Sequence, residues 1–268
     1  MEKFLHKKSL GQNFLTSDYV PKKMCEAADI QRGEVVLEIG PGTGMLTKEL
    51  LARGAKVIAV EADVRAIASL EKDFSEAISS GQLVIHHVDA RELDLSSLGL
   101  KDKPFKTVSN IPYYLSGLLL RTLLDSNIQP NTLVFLMQKE LVARIARDKK
   151  ESLLSLSVKV FGEPKYVETI KRGHFNPPPK VDSAILLVSK ISKERLKDVD
   201  SKDFFTILHL GFGQKRKQLI HNLSTTFKRE DVATILESES LPQSVRAEDI
   251  NIGTWVQLVT KLLSTKNP

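Results

Sequence analysis

The sequence predicts an α/β fold, a doubly wound and mostly parallel sheet, followed by a small all-helical domain. Three observations carry this. Short β-branched or apolar runs alternate with segments of helical periodicity through the first two-thirds of the chain, the pattern of βαβ units. A turn with three glycines joins the first such run directly to a helix, as in folds that hold a ligand at the sheet's edge. Beyond about residue 190 the runs stop and only helical spacing remains. The expected division is therefore 1–190 and 191–268.

The elements justify this reading in order. "VVLEIG" (35–40), "KVIAVE" (56–61), "QLVIHHVD" (82–89), "KTVSN" (106–110) and "TLVFLMQ" (132–138) are apolar enough to be parallel strands buried on both faces. Between them "GMLTKELLARG", "VRAIASLEKDFSEAI" and "SGLLLRTLLDS" place apolar residues at helical spacing. "KYVETIKR" and "SAILLVSKI" flank the proline-rich "FNPPPK" and predict an antiparallel pair closing the sheet. From "KERLKDVDSKDFFTILHLGF" onward the chain reads as helices.

Composition narrows the function classes. With 41% hydrophobic and 27% charged residues over 268 positions, the chain has material for a sizeable core. No apolar run approaches a membrane span. The start, "MEKFLHKKSLGQNFL", has neither the apolar core of a secretory signal nor the arginines of a transit peptide. The single cysteine, Cys25, excludes an internal disulfide and a cysteine metal cage, and its expected place is a partly buried apolar position. A cytoplasmic protein, with no membrane association and no metal, is expected. The formal net charge of +6 and a pI near 9.2 favour a polyanionic partner. Basic residues gather in "KFLHKK", "KELVARIARDKK", "KRGH" and "QKRKQ", which directs attention to nucleic acid.

In "LEIGPGTGMLT", Gly40, Gly42 and Gly44 lie between strand and helix, with Glu38 two residues before them. Glycine suits a backbone that a ligand approaches closely. No Gly-Lys-Ser/Thr ending follows, so the loop is not a nucleotide-triphosphate loop, and G-x-G-x-G departs from the dinucleotide pattern. The second strand ends in Glu61, placed to accept from ribose hydroxyls, and the third in Asp89, placed to accept from an adenine amino group. An adenosine without phosphates, carrying a cationic sulfonium and an amino-acid tail, suits so acidic a site. That ligand is S-adenosylmethionine. The bland alternative for either acid is a helix N-cap.

The fourth strand ends in Asn110-Ile111-Pro112-Tyr113, at the same edge. An adenine amino nitrogen is a poor nucleophile because its lone pair is delocalised into the ring. Two acceptors on its protons, the Asn110 side-chain oxygen and the Ile111 carbonyl, would favour a pyramidal nitrogen aimed at the methyl donor. Pro112 biases Ile111 toward extended backbone, and Tyr113 offers a face for an unstacked base. Phe175, before the proline run, is the candidate for the opposite face, held out of the core by that run. A core phenylalanine beside a turn is the competing reading.

Together "KKSLGQNFL", "LEIGPGTGMLT", "VEAD", "SNIPYYLS", "MQKELVARI", "HFNPPPKVDSA", "FGQKRKQLIHNL" and "RAEDI" resemble the KsgA (RsmA) ribosomal RNA adenine dimethyltransferases from about residue 7 to the last helix. The resemblance implies a Rossmann-like methyltransferase fold in which 1–190 binds S-adenosylmethionine and 191–268 contacts RNA. It implies a monomer that dimethylates two adjacent adenines near the 3′ end of 16S rRNA, in the immature small ribosomal subunit. It assigns Asn13, Leu15, Gly40, Gly42, Gly44, Glu61, Asp89 and Asn110 to the cofactor, and Asn110, Ile111, Pro112, Tyr113 and Phe175 to the target base. It also makes "QNFL" part of an arm folded over the cofactor.

The chain departs from many members at Leu153-Leu154, where they have Tyr-Gly. Its NIPY replaces the commoner NLPY and also occurs in Erm enzymes, which methylate 23S rRNA; Erm is the alternative enzyme. A non-catalytic assembly factor would be expected to have lost Asn110 or the glycines. A DNA adenine methyltransferase would carry an acid in place of Asn110, and a nicotinamide dehydrogenase would leave NIPY and the basic clusters without a role.

Overall fold

The computed structural model describes residues 13–101 and 103–265. Strand β1 (Phe14–Leu15) and helix α1 (Tyr19–Ala27) precede β2 (Val35–Ile39), α2 (Met45–Ala52), β3 (Lys56–Glu61), α3 (Val64–Asp73), α4 (Ser75–Ser79) and β4 (Leu83–His87). Then come β5 (Phe105–Asn110), α5 (Ser116–Leu124), β6 (Thr132–Gln138), α6 (Lys139–Ala146) and α7 (Leu153–Lys159). After β7 (Glu163–Ile170), β8 (Phe175–Asn176) and β9 (Ser183–Ser189), the rest is helical: α8 (Ser201–Gly211), α9 (Leu219–Leu223), α10 (Arg229–Ser238) and α11 (Ile252–Ser264).

The main sheet runs β4-β3-β2-β5-β6-β9-β7. Its first five strands are parallel, and β9 lies antiparallel between β6 and β7. The expected antiparallel pair does close the sheet, but the later strand enters first. Because β9 runs backward, Ser183 opposes Gln138 at the end of β6. The β7–β9 connection therefore lies at the edge where the parallel strands finish.

Valines and leucines that face one side of the sheet, including Val36, Val57, Val108 and Val134, share one core with Val20, Met24 and Cys25 of α1 and Leu46 and Leu50 of α2. Cys25 is fully buried. The helical pattern through 64–78 breaks at Phe74, whose backbone (φ −121°, ψ 27°) ends α3 and starts α4. Phe74 packs against this same core.

Two compact units emerge. The first is the chain up to Ala143 with Glu163–Ile191; the second is Arg144–Gly162 with the chain from Ser192 on. The later chain divides between Ile191 and Ser192, and residues 144–162 group with the helical unit. Glu151 N–H donates to the Glu248 carbonyl at 2.7 Å, Phe161 lies 6.0 Å from Phe205 between ring centroids, and Arg195 donates to the Lys159 carbonyl. Leu153-Leu154 open α7 behind a Ser152/Ser155 capping box. In this unit Trp255 is buried, donating to the Ala247 carbonyl at 3.2 Å and stacking on Phe212. Among the described residues, no helix is long and apolar enough to cross a membrane.

Candidate active site

Strands β2 and β5 pair only from Val35↔Phe105 to Leu37↔Thr107. Beyond that point β2 continues with β3 and β5 with β6, so the sheet splits at its carboxyl edge. A crevice open to solvent occupies this switch point. The divergence strips the Ile39 N–H of a strand partner, and the buried Ser109 hydroxyl accepts from it instead at 2.8 Å. Ser109 carries no sequence signal for that task.

The crevice is lined by Asn13, Leu15, Gly40, Gly42, Glu61, Asp89, Asn110, Ile111, Pro112, Tyr113 and Phe175, among others. Every residue singled out from the sequence is there except Gly44. Gly42 has φ +55°, and a Cβ on it would sit 3.0 Å from the Phe14 ring, so the arm closes directly on the loop. Gly44 answers to the other side: at φ +76°, its Cβ would lie 2.6 Å from the Phe74 ring and 2.8 Å from Leu70. Gly44 is not among the crevice-lining residues, and glycine is required there by packing, because α3 and Phe74 fill the space a side chain would need.

Three carboxyl groups line the crevice, and none of its described lining residues is basic. Glu61, only 7% exposed, turns back on the chain: one oxygen accepts from Gly42 N–H at 3.1 Å, the other from Ala62 and Asp63 N–H at 2.8 and 2.9 Å. It thereby ties β3 to the glycine loop. Asp89 caps the short 3-10 turn Ala90–Glu92 and accepts from Arg91 N–H at 2.9 Å, Nε at 3.0 Å and Nη2 at 2.6 Å. The bonds from the Arg91 side chain and amide hold its carboxyl down, to about 2. Asp89 is thus the N-cap of that turn and lines the crevice as well.

Glu38 is the group whose role the sequence did not reveal. It is buried in β2, accepts from Thr47 Oγ1 at 2.7 Å, and lines the crevice. Burial, aided by the nearby Glu61 carboxylate, pushes its pKa up to about 8. The visible signal was an acid inside an otherwise apolar strand.

At the end of β5, Asn110 Nδ2 donates to the Asn13 carbonyl at 3.3 Å. A carbonyl can pair only with the amide's NH₂ end, so this contact fixes which atom is which and leaves Oδ1 as the acceptor for a ligand. Pro112 has the extended ψ of 132° that ends the strand, and Tyr113–Leu115 form a 3-10 turn leading into α5. Tyr113 bonds through its hydroxyl to the buried Ser183 at 2.7 Å, and burial raises its pKa. Phe175 arrives from the β7–β9 connection. The proline run does not hold it out of the core: it is 4% exposed and a core member, because β8 pairs with β1 (Leu15↔Phe175) and buries it. It lines the crevice nonetheless.

The arm is visible from Asn13 on: Phe14 and Leu15 form β1, and Thr16 N–H donates to the His174 carbonyl at 2.9 Å. The basic "KFLHKK" and the first residues of "KKSLGQNFL" lie outside the described residues. Of the other basic clusters, Lys150 pairs with Glu248 and Lys171 with Asp182, while Lys215, Arg216 and Lys217 are exposed.

Residues 3–263 match the ribosomal RNA adenine dimethylase family. The chain is 34% identical to a Dehalococcoides mccartyi protein named ribosomal RNA small subunit methyltransferase A, over 98% of this chain and 89% of that one. It is likewise 34% identical to a Synechocystis protein of the same name, over 99% of each. Among solved structures, a dimethyladenosine transferase from Plasmodium falciparum matches with a TM-score of 0.81 at 25% identity, over 94% of this chain and 98% of that one. The 23S rRNA methyltransferase ErmE matches with a TM-score of 0.73 at 24% identity, over 93% and 99%; that likeness is one of fold.

Proposed function

The chain belongs to the ribosomal RNA adenine dimethylase family, and from that premise we propose that it is a 16S rRNA adenine N6,N6-dimethyltransferase. It uses S-adenosylmethionine to modify two adjacent adenines near the 3′ end of small-subunit rRNA. Its relatives named small subunit methyltransferase A favour this over the Erm reading, since they share 34% identity with the chain where ErmE shares 24%. The substrate is the immature small subunit, met in the cytoplasm by a monomer.

The observation that carries the chemistry is the Asn110 amide, locked by Asn13 at the split edge of the sheet. The crevice fits S-adenosylmethionine: Glu61 and Asp89 favour a cation and disfavour phosphates, Glu38 adds a buried carboxyl beside them, and Gly40 and Gly42 keep the loop free of side chains. When bound, that cofactor supplies an electrophilic methyl group on a sulfonium.

The chain's residues prepare the acceptor. Tyr113 and Phe175 flank a base withdrawn from its stack. Asn110 Oδ1 and the Ile111 carbonyl accept from the target amine, which turns its lone pair toward the methyl donor. The methylated amine is briefly cationic, hence acidic, and loses its proton to water. Catalysis is then mostly alignment, with polar groups that are already in place. A monomethylated amine keeps one N–H for these acceptors, so the same geometry serves the second transfer.

The test is methyl transfer from labelled S-adenosylmethionine to purified small subunits lacking the modification, with large subunits in parallel. The nucleosides are then identified by mass spectrometry. Dimethyladenosine on the small subunit is expected. Label confined to the large subunit would favour the Erm reading, and binding without label would favour an assembly factor.

A further inference from the structure

Beside the crevice stands an aromatic ring that the reaction above does not use. Tyr114 lines the crevice mouth and is 60% exposed. Its neighbours explain why it points outward. Tyr113 is anchored on Ser183, Leu115 is buried, and the 3-10 turn they share leaves only the middle residue facing solvent. Leu118, one helical turn on in α5, is 43% exposed, and Arg121 follows on the same face, also exposed. Arg91, held by the crevice-lining Asp89, has its side chain 64% exposed.

A single exposed aromatic is ordinary on a protein surface. An aromatic, an aliphatic and a cation in file from the mouth of a base-binding crevice are not, because a polynucleotide cannot deliver one base alone. With the target base between Tyr113 and Phe175, its neighbour is held one phosphodiester away, at this mouth. Its π face needs a partner to replace the stack it has lost, and its backbone needs cations.

We propose that Tyr114 is the stacking platform for the nucleotide adjoining the target adenine, with Leu118 and Arg121 continuing the track along α5. This rests on the RNA methyltransferase reading and adds the path of the flanking strand. Since two adjacent adenines are modified, the base waiting on Tyr114 is in one register the other target.

The test compares wild type, Tyr114→Ala and Tyr114→Phe on small subunits reconstituted with intact rRNA or with an abasic ribose on either side of one target adenine. Loss of the ring in Tyr114→Ala raises KM for the subunit roughly tenfold to a hundredfold. Tyr114→Phe stays near wild type, and the dissociation constant for S-adenosylmethionine, measured by calorimetry, does not move. An abasic neighbour on one side imposes a similar penalty on wild type but adds nothing in Tyr114→Ala, because both changes remove the same contact. A KM within about twofold of wild type for Tyr114→Ala, or penalties that multiply, overturns the platform. Wild-type transfer to intact subunits, measured in the same series, keeps the two readings apart. If it fails, the parent reading falls; if it succeeds without regard to Tyr114, only the platform does.

Discussion

Glu38 makes a sharp prediction because its cost is set by burial. It is 1% exposed and its pKa is pushed up to about 8, against 4.5 for a free carboxyl. Between those values the folded protein holds a proton that the unfolded chain has released. The stability associated with the neutral carboxyl is thus complete below pH 4.5 and is lost as the pH rises through 8. The slope approaches 1.36 kcal/mol per pH unit, so roughly 3.5 kcal/mol disappears between about pH 5 and 8. Glu38→Gln keeps an oxygen to accept from Thr47 and removes the titration. Urea unfolding of both proteins, followed by circular dichroism from pH 5 to 8, should show the variant gaining on wild type by about that amount. A difference that is the same at both ends of the range would refute the assignment of a neutral, buried Glu38.

Other outcomes follow from contacts already described. Asn110→Ala should lower methyl transfer by at least about a hundredfold to a thousandfold; filter-binding should show small-subunit affinity little changed. Gly211→Ala would bring a Cβ to 2.4 Å from the Trp255 ring and 3.0 Å from Leu219. It should cost about 2–3 kcal/mol of stability, read as a lower urea midpoint for Trp255 fluorescence. Cys25 is fully buried and burial pushes its thiol up to about 12. A chromogenic disulfide reagent should therefore find no reactive thiol in the native protein and one per chain in denaturant.

Much of this was legible in the chain because the relevant signals are local. The five parallel strands are apolar runs long enough to register, and Glu61, Asp89 and Asn110 sit at their ends, where topology collects them. What escaped depends on contacts between distant segments. Gly44 looks like its two neighbours in the loop, and only the approach of Phe74, thirty residues on, shows that it faces a helix. Phe175 is buried by pairing with Leu15, a register no periodicity announces. The order of β7 and β9 was equally hidden, since an antiparallel pair reads the same whichever member meets the sheet first. Ser109 and Ser183 are single hydroxyls serving remote groups, with nothing in their neighbourhoods to mark them.

The backward course of β9 has a consequence for how such an enzyme changes its substrate. The crevice's carboxyl groups lie between Glu38 and Asp89, whereas Phe175 hangs on the connection between two antiparallel strands at the far side of the sheet. A connection of this kind tolerates changes of length and composition that a βα turn beneath the cofactor does not. Residues 171–182 are therefore the expected place for such changes, within the limit set by β8, which pairs with β1. Rewriting them is expected to alter the Phe175 side of the crevice and, through Leu15 and Thr16, the arm beside it, while Glu61 and Asp89 on the parallel strands stay in place.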